Sequence, residues 1–195
     1  MKFKLTETAA LAVLFILPLS VSAHTGLGVV HDFEQGFGHP FSGADHLLVM
    51  FAIGLWATSQ QGLSIWVLPL VFLSVMASGA LLAFSGMPLM VPEIWIALSV
   101  LACGVIVWRN WQIKLAWAAA LTGLFALSHG YVHAAEISAE ADKIGYAAGF
   151  LIATAVLHGL GLLTGLLSPG LLKFARTGLG LIYTAVGLTL LVAGV

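Results

Sequence analysis

His39-Pro40-Phe41-Ser42-Gly43-Ala44-Asp45-His46-Leu47-Leu48-Val49-Met50-Phe51-Ala52-Ile53-Gly54-Leu55-Trp56-Ala57-Thr58-Ser59 is the stretch that decides the fold. Its second part is an apolar run of helix length with no charge. Its first part sets two histidines and an aspartate at the mouth of that run. The same kind of run recurs along the chain. Six apolar segments follow one another at approximately 43–59, 63–84, 93–108, 115–135, 144–167 and 177–195. A membrane helix needs about 20 such residues. The connections are short, at 60–62, 85–92, 109–114, 136–143 and 168–176, so none holds a second domain.

Composition supports lipid as the main solvent. The chain of 195 residues is 61% hydrophobic and 8% charged, with a mean hydropathy of +1.08. A soluble domain carries about 25% charged residues. With so few charges, a water-facing surface could not stay solvated. The formal net charge of −1 offers no basic surface to nucleic acid. One cysteine, Cys103, excludes an internal disulfide and any CxxC zinc motif. It lies in an apolar run and reads as a small packing residue.

The N-terminus reads as a secretory signal. Lys2 and Lys4 give a positive start, residues 9–19 an apolar stretch, and Val21-Ser22-Ala23 a small-residue cleavage site. Cleavage is expected after Ala23, which makes 1–23 a signal peptide and 24–195 a single six-helix transmembrane domain. The soluble stretch is then about 24–41. With the mature N-terminus outside, the loops holding Arg109 with Lys114 and Lys173 with Arg176 fall inside, as lysine and arginine bias requires. The loop with Glu136, Glu140, Asp142 and Lys143 falls outside. The expected fold is an all-α membrane protein of the bacterial inner membrane, N-out and C-out. Its tryptophans, Trp56, Trp66, Trp95, Trp108, Trp111 and Trp117, mostly fall near span ends, as an aromatic belt does.

Small residues mark expected helix contacts. Gly161 and Gly165 form a GxxxG pattern, and Ser74 and Ser78 share that spacing. The first and fourth segments run in opposite senses and both carry histidines, which suits a 3+3 inverted repeat. Sequence similarity between the halves does not establish one.

The chemistry lies in the ionisable residues. Each costs about 2.5–3.5 kcal/mol inside a span, which makes it a functional candidate. Read as one helix, His39 and His46 are nearly two full turns apart and share a face. Asp45 either ligates metal or orients a ligating histidine. On the fourth segment, His129 and His133 are an i, i+4 pair on one face, with Glu136 three residues on. Glu93 starts the third segment on the same outer side, either in the site or as a favourable charge at a helix N-terminus. Imidazoles with carboxylates suit nickel, cobalt, zinc or copper(II) and not calcium or magnesium. His158 stands apart, about 21 Å along the fifth segment and nearer the cytoplasm. It is either a second station on a path or a histidine bonded to a helix carbonyl. The polar run with His24, His31, Asp32 and Glu34 either gathers metal or is a simple tail. Met87 and Met90 read as interfacial packing.

At residues 39–46 the chain resembles the HupE/UreJ family, whose members have a signal peptide, six membrane helices and an HPxxGxDH motif on the first. His39, Pro40, Gly43, Asp45 and His46 match it. The stretch SHGYVHAAE at 128–136 is similar to the family's second motif, roughly HGxAHGxE. His129, Gly130, His133 and Glu136 match; Ala134 replaces the usual glycine and Val132 a frequent alanine. Those departures alter packing more than ligands. The resemblance spans essentially the whole chain. It implies a nickel permease serving hydrogenase or urease maturation, or a cobalt carrier.

The expected function is therefore facilitated uptake of a divalent transition metal, with Ni²⁺ first and Co²⁺ or Zn²⁺ as alternatives. No permanently bound cofactor is expected. The expected partners are the metal ion and the bilayer, and the sequence is compatible with a homo-oligomer. Two readings from other classes stand beside it. One is an intramembrane zinc hydrolase, into which Ser42 and Ser128 can be read. The other is a metal sensor that does not translocate.

Overall fold

The computed structural model describes residues 32–60, 62–138 and 141–193. The expected signal peptide, His24, His31 and Glu140 lie outside these residues. The described chain is helical: α1 (Phe33–Ser42), α2 (Ala44–Ala57), a 3₁₀ turn (Gly62–Trp66), α3 (Val67–Phe84), α4 (Pro92–Arg109), α5 (Leu115–Ala135), α6 (Lys143–Thr164) and α7 (Pro169–Ala193). Five helices, α3 to α7, are long and apolar enough to cross a membrane. A sixth span arises if α1 and α2 count as one.

That first span departs from the expected continuous helix. The chain bends by 83° between α1 and α2. Gly43 is the hinge, with extended backbone at φ −93° and ψ 122°. Pro40 stands near the end of α1. The stretch expected to be a soluble tail is in part this helix. Asp32 caps it by accepting from the Gln35 N–H, which satisfies one of the donors a helix start leaves open. At 14 residues, α2 is about 21 Å long, short of the roughly 30 Å of a hydrocarbon core. It carries no charge past Asp45 and is apolar on every side, so it is buried on every side. All its residues but Ala44 are buried, and α6, α4, α3, α1 and α7 surround it.

Glycines set how closely the helices approach. A Cβ on Gly54 would meet the backbone of His158, and one on Gly161 that of Phe51 and Leu55. A Cβ on Gly130 would meet the backbone of Met76, and one on Gly79 that of Leu127 and Tyr131. The two locks have one pattern. In each, the second glycine lies three residues past the first contact. It grips the residues three before and one after the first glycine. One lock joins α2 to α6 and the other α5 to α3, and the α2/α6 pair runs opposite to the α3/α5 pair. This is the relation an inverted repeat produces. Of the small-residue pairs expected from sequence, Gly161 and Gly165 do pack, the latter on Thr58, but Ser74 and Ser78 face outward. Gly79 carries the α3 contact instead.

Arg109, Lys114, Lys173 and Arg176 gather at the end where α4 and α6 finish and α5 and α7 begin. Exposed Trp66, Trp108, Trp111 and Trp117 belong to the same end. Trp56 departs from the belt: it is buried and donates its indole N–H to the Trp111 carbonyl at 2.9 Å.

Candidate metal centre

Three helices meet at the opposite end of the bundle. α1 brings His39 in its last turn, α2 brings Asp45 and His46 in its first turn, and α5 brings His129 and His133 in its last two. The bend at Gly43 makes the meeting possible. His39 and His46 belong to different helices, so the shared-face argument from seven-residue spacing does not apply. The hinge folds α1 back over the start of α2 and brings the two rings to 5.5 Å, edge to face. A Cβ on Gly43 would stand 2.9 Å from Asp45 Oδ1 and 3.0 Å from His46 Nδ1. Glycine keeps that space open.

Three imidazoles converge. One nitrogen from each of His39, His46 and His133 lies within 4.8 Å of the others, with His46 and His133 buried and His39 half-buried. The His46 and His133 Nε2 atoms face each other in direct contact. Ligand atoms around an ion with bonds near 2.0–2.1 Å sit about 3–4 Å apart, so small side-chain adjustments would close this group on one ion. Asp45 Oδ1 is 2.5 Å from His46 Nδ1. The carboxylate beside Nδ1 favours a proton there and leaves Nε2 turned toward His133, the arrangement in which a carboxylate orients a metal-binding histidine. His129 lies beside His46 at 5.2 Å between ring centres. Its Nδ1–H donates to the Phe125 carbonyl at 2.9 Å, so its lone pair is also on Nε2.

The remaining candidates are placed differently. Glu136 sits at the rim, exposed, with Oε2 3.8 Å from His133 Nδ1. Glu93 is half-buried in the first turn of α4, at that helix's positive end, and is not in the histidine group. His158 is buried on α6 and donates Nδ1–H to the Met50 carbonyl at 2.6 Å. Met87 and Met90 are exposed in the 85–91 connection.

Sequence reasoning missed the wall of the site. Phe150 lies against His133 at 4.7 Å, His39 at 5.8 Å and His46 at 6.3 Å between ring centres. Tyr146 is 6.2 Å from His39. Both come from α6, which carries no ligand of the group. A signal was present: Tyr146, Phe150, Thr154 and His158 recur every four residues along one face of α6. The Thr154 hydroxyl bonds Met50 Sδ at 3.3 Å and the Phe150 carbonyl at 2.8 Å. The apolar wall excludes water and leaves the imidazoles as the polar lining.

The chain matches the family described as HupE / UreJ protein over residues 11–190. It belongs to the HupE/UreJ family. It is also similar to "Protein HupE" of Rhizobium leguminosarum bv. viciae, 42% identical over 176 residues, covering 90% of this chain and 87% of that protein. No solved structure matches the chain significantly. Of the residues that carry the resemblance, His39 and His46 stand in the histidine group, Asp45 lies beside His46, and Gly43 is the bend between α1 and α2.

Proposed function

We propose that the protein is an inner-membrane permease that carries Ni²⁺ into the cytoplasm, with hydrogenase or urease maturation as the use of the metal. The observation that carries this reading is the convergence of His39, His46 and His133 nitrogens within 4.8 Å inside an apolar helix bundle. Intermediate nitrogen donors suit late divalent metals, nickel and cobalt included. Membership of the HupE/UreJ family supports the same use. Residues 1–23 act as a signal peptide in this reading, and the end bearing Arg109, Lys114, Lys173 and Arg176 faces the cytoplasm. The histidine group then opens toward the periplasm, where it collects the ion. An inward-negative potential provides about 4.6 kcal/mol for a divalent ion per 100 mV, so no nucleotide is required. Seen as a hydrolase, the site gains no support from its serines. Ser42 Oγ donates to the His39 carbonyl at 2.8 Å and Ser128 Oγ toward the Leu124 carbonyl at 3.5 Å.

The test is nickel entry into liposomes that hold a metal-sensitive dye and reconstituted protein. Wild-type protein gives a dye signal and His46→Ala, inserted at equal density, gives none. Equal signals from both would remove the ligand assignment. Reporter fusions after Lys173 should read cytoplasmic and after Glu136 periplasmic; the reverse would overturn the orientation.

A further inference from the structure

Between His129 and His158, below the histidine group, lies one aromatic side chain. Phe72 of α3 is fully buried. Its ring lies 5.8 Å from that of His129 on one side and 5.2 Å from that of His158 on the other, edge to face with the latter. His158 is 2% exposed. The Met50 carbonyl takes its Nδ1–H at 2.6 Å, so the lone pair stands on Nε2. That atom has no hydrogen-bond partner among the described residues. His158 also borders an open, largely apolar groove of about 600 Å³ on the side of the basic end, shared with Thr58 and with exposed Trp66, Leu70, Leu163 and Leu166. A buried imidazole nitrogen with a bare lone pair costs free energy unless something binds it. The Met50 bond holds it in the one tautomer that presents a ligand atom.

We infer that His158 is a second, inner metal station and that Phe72 is the gate between it and the histidine group. This rests on the proposed permease reading and names the route within it. The ion passes from the convergent histidines to His129, waits until the Phe72 ring swings aside, and is taken by His158 Nε2. A hydrophobic constriction is a barrier to a hydrated ion, and a site that must release its ion is necessarily weak. One imidazole holds an ion less tightly than three, so an inner site built on His158 lets it go more readily.

The experiment compares His158→Gln and Phe72→Ala with wild type in two measurements. Nickel affinity of the purified protein in detergent reports the histidine group. Potential-driven nickel entry into liposomes reports passage. His158→Gln should keep the wild-type affinity and lose entry roughly tenfold, the scale of a weakened metal contact. Phe72→Ala should keep the affinity and admit nickel several times faster. Unchanged entry in His158→Gln, or a loss of affinity in step with entry, overturns the inner station and makes His158 a packing residue. Unchanged or slower entry in Phe72→Ala overturns the gate. Should His158→Gln fail to elute as a single folded species, Phe72→Ala decides alone. If wild type itself neither binds nor passes nickel, the permease reading fails with it; if wild type passes nickel and both variants behave as wild type, only the inner route fails.

Discussion

Asp45 Oδ1 stands 2.5 Å from His46 Nδ1, with both side chains buried. The carboxylate has one task that follows from this contact. It holds the ring with Nε2 toward His133 and favours the tautomer that offers a lone pair there. Asp45→Asn keeps shape and nearly all volume but replaces the anion. Nickel affinity should fall about 10–100-fold, as on loss of other partners that orient metal-binding histidines. Competition against a chromogenic chelator measures it. Affinity equal to wild type would show that Asp45 does not orient His46.

Gly43 gives the next prediction. Its φ of −93° suits any residue, so backbone strain is not the reason for glycine. The reason is space: a methyl would stand 2.9 Å from Asp45 Oδ1 and 3.0 Å from His46 Nδ1. Gly43→Ala should push that pair apart and weaken metal binding, with little change in thermal unfolding. Affinity and melting are measured on the same preparation. Loss of both together would mean that the hinge holds the fold and not the site.

The glycine locks predict stability. At Gly54 and Gly130 the atoms a Cβ would meet are backbone, which cannot turn aside. Gly54→Ala and Gly130→Ala should each destabilise the bundle by about 1–3 kcal/mol, the usual cost of overpacking. Gly159→Ala meets nothing within 4 Å and serves as control. Thermal unfolding in detergent should separate the pair from the control. Equal melting for Gly130→Ala and Gly159→Ala would deny the close α3–α5 approach.

Much of this was legible in the sequence because lipid imposes a simple rule. Apolar length gave the spans from α3 to α6, with ends close to those observed; α7 begins at Pro169, eight residues before the expected 177, because Lys173 and Arg176 read as a connection yet lie on the helix. The bend at Gly43 was not legible: Gly and Pro occur within many continuous membrane helices, and 43–59 read as a span by hydropathy alone. The grouping of His39 with His46 was expected on one helix and arises from two. His133 joins them because α2 begins and α5 ends at the same end of the bundle. Glu93 shares that level, yet depth says nothing of which face of α4 it occupies, and the structure leaves it out of the histidine group. Phe150 and Phe72 escaped notice because an aromatic in an apolar run carries no mark of its own. Only the packing of α6 and α3 against the histidines distinguishes them.

The last prediction joins pH to potential. An imidazole binds metal through a lone pair, and its ordinary pKa is about 6.5. Protons therefore compete with nickel for an imidazole nitrogen. The sign follows: affinity is full above that range and falls as the outer pH drops through it. Nickel entry should decline from about pH 7 to about pH 5.5, more steeply than one titrating group allows, because more than one ring must be neutral at once. At fixed pH, an inside-negative potential should quicken entry, since two positive charges then move downhill. A hydrolase can share the falling acid limb but gives no dye response to potential. Entry that ignores potential at every pH, in folded protein with intact nickel affinity, would leave a metal-binding membrane protein that does not transport.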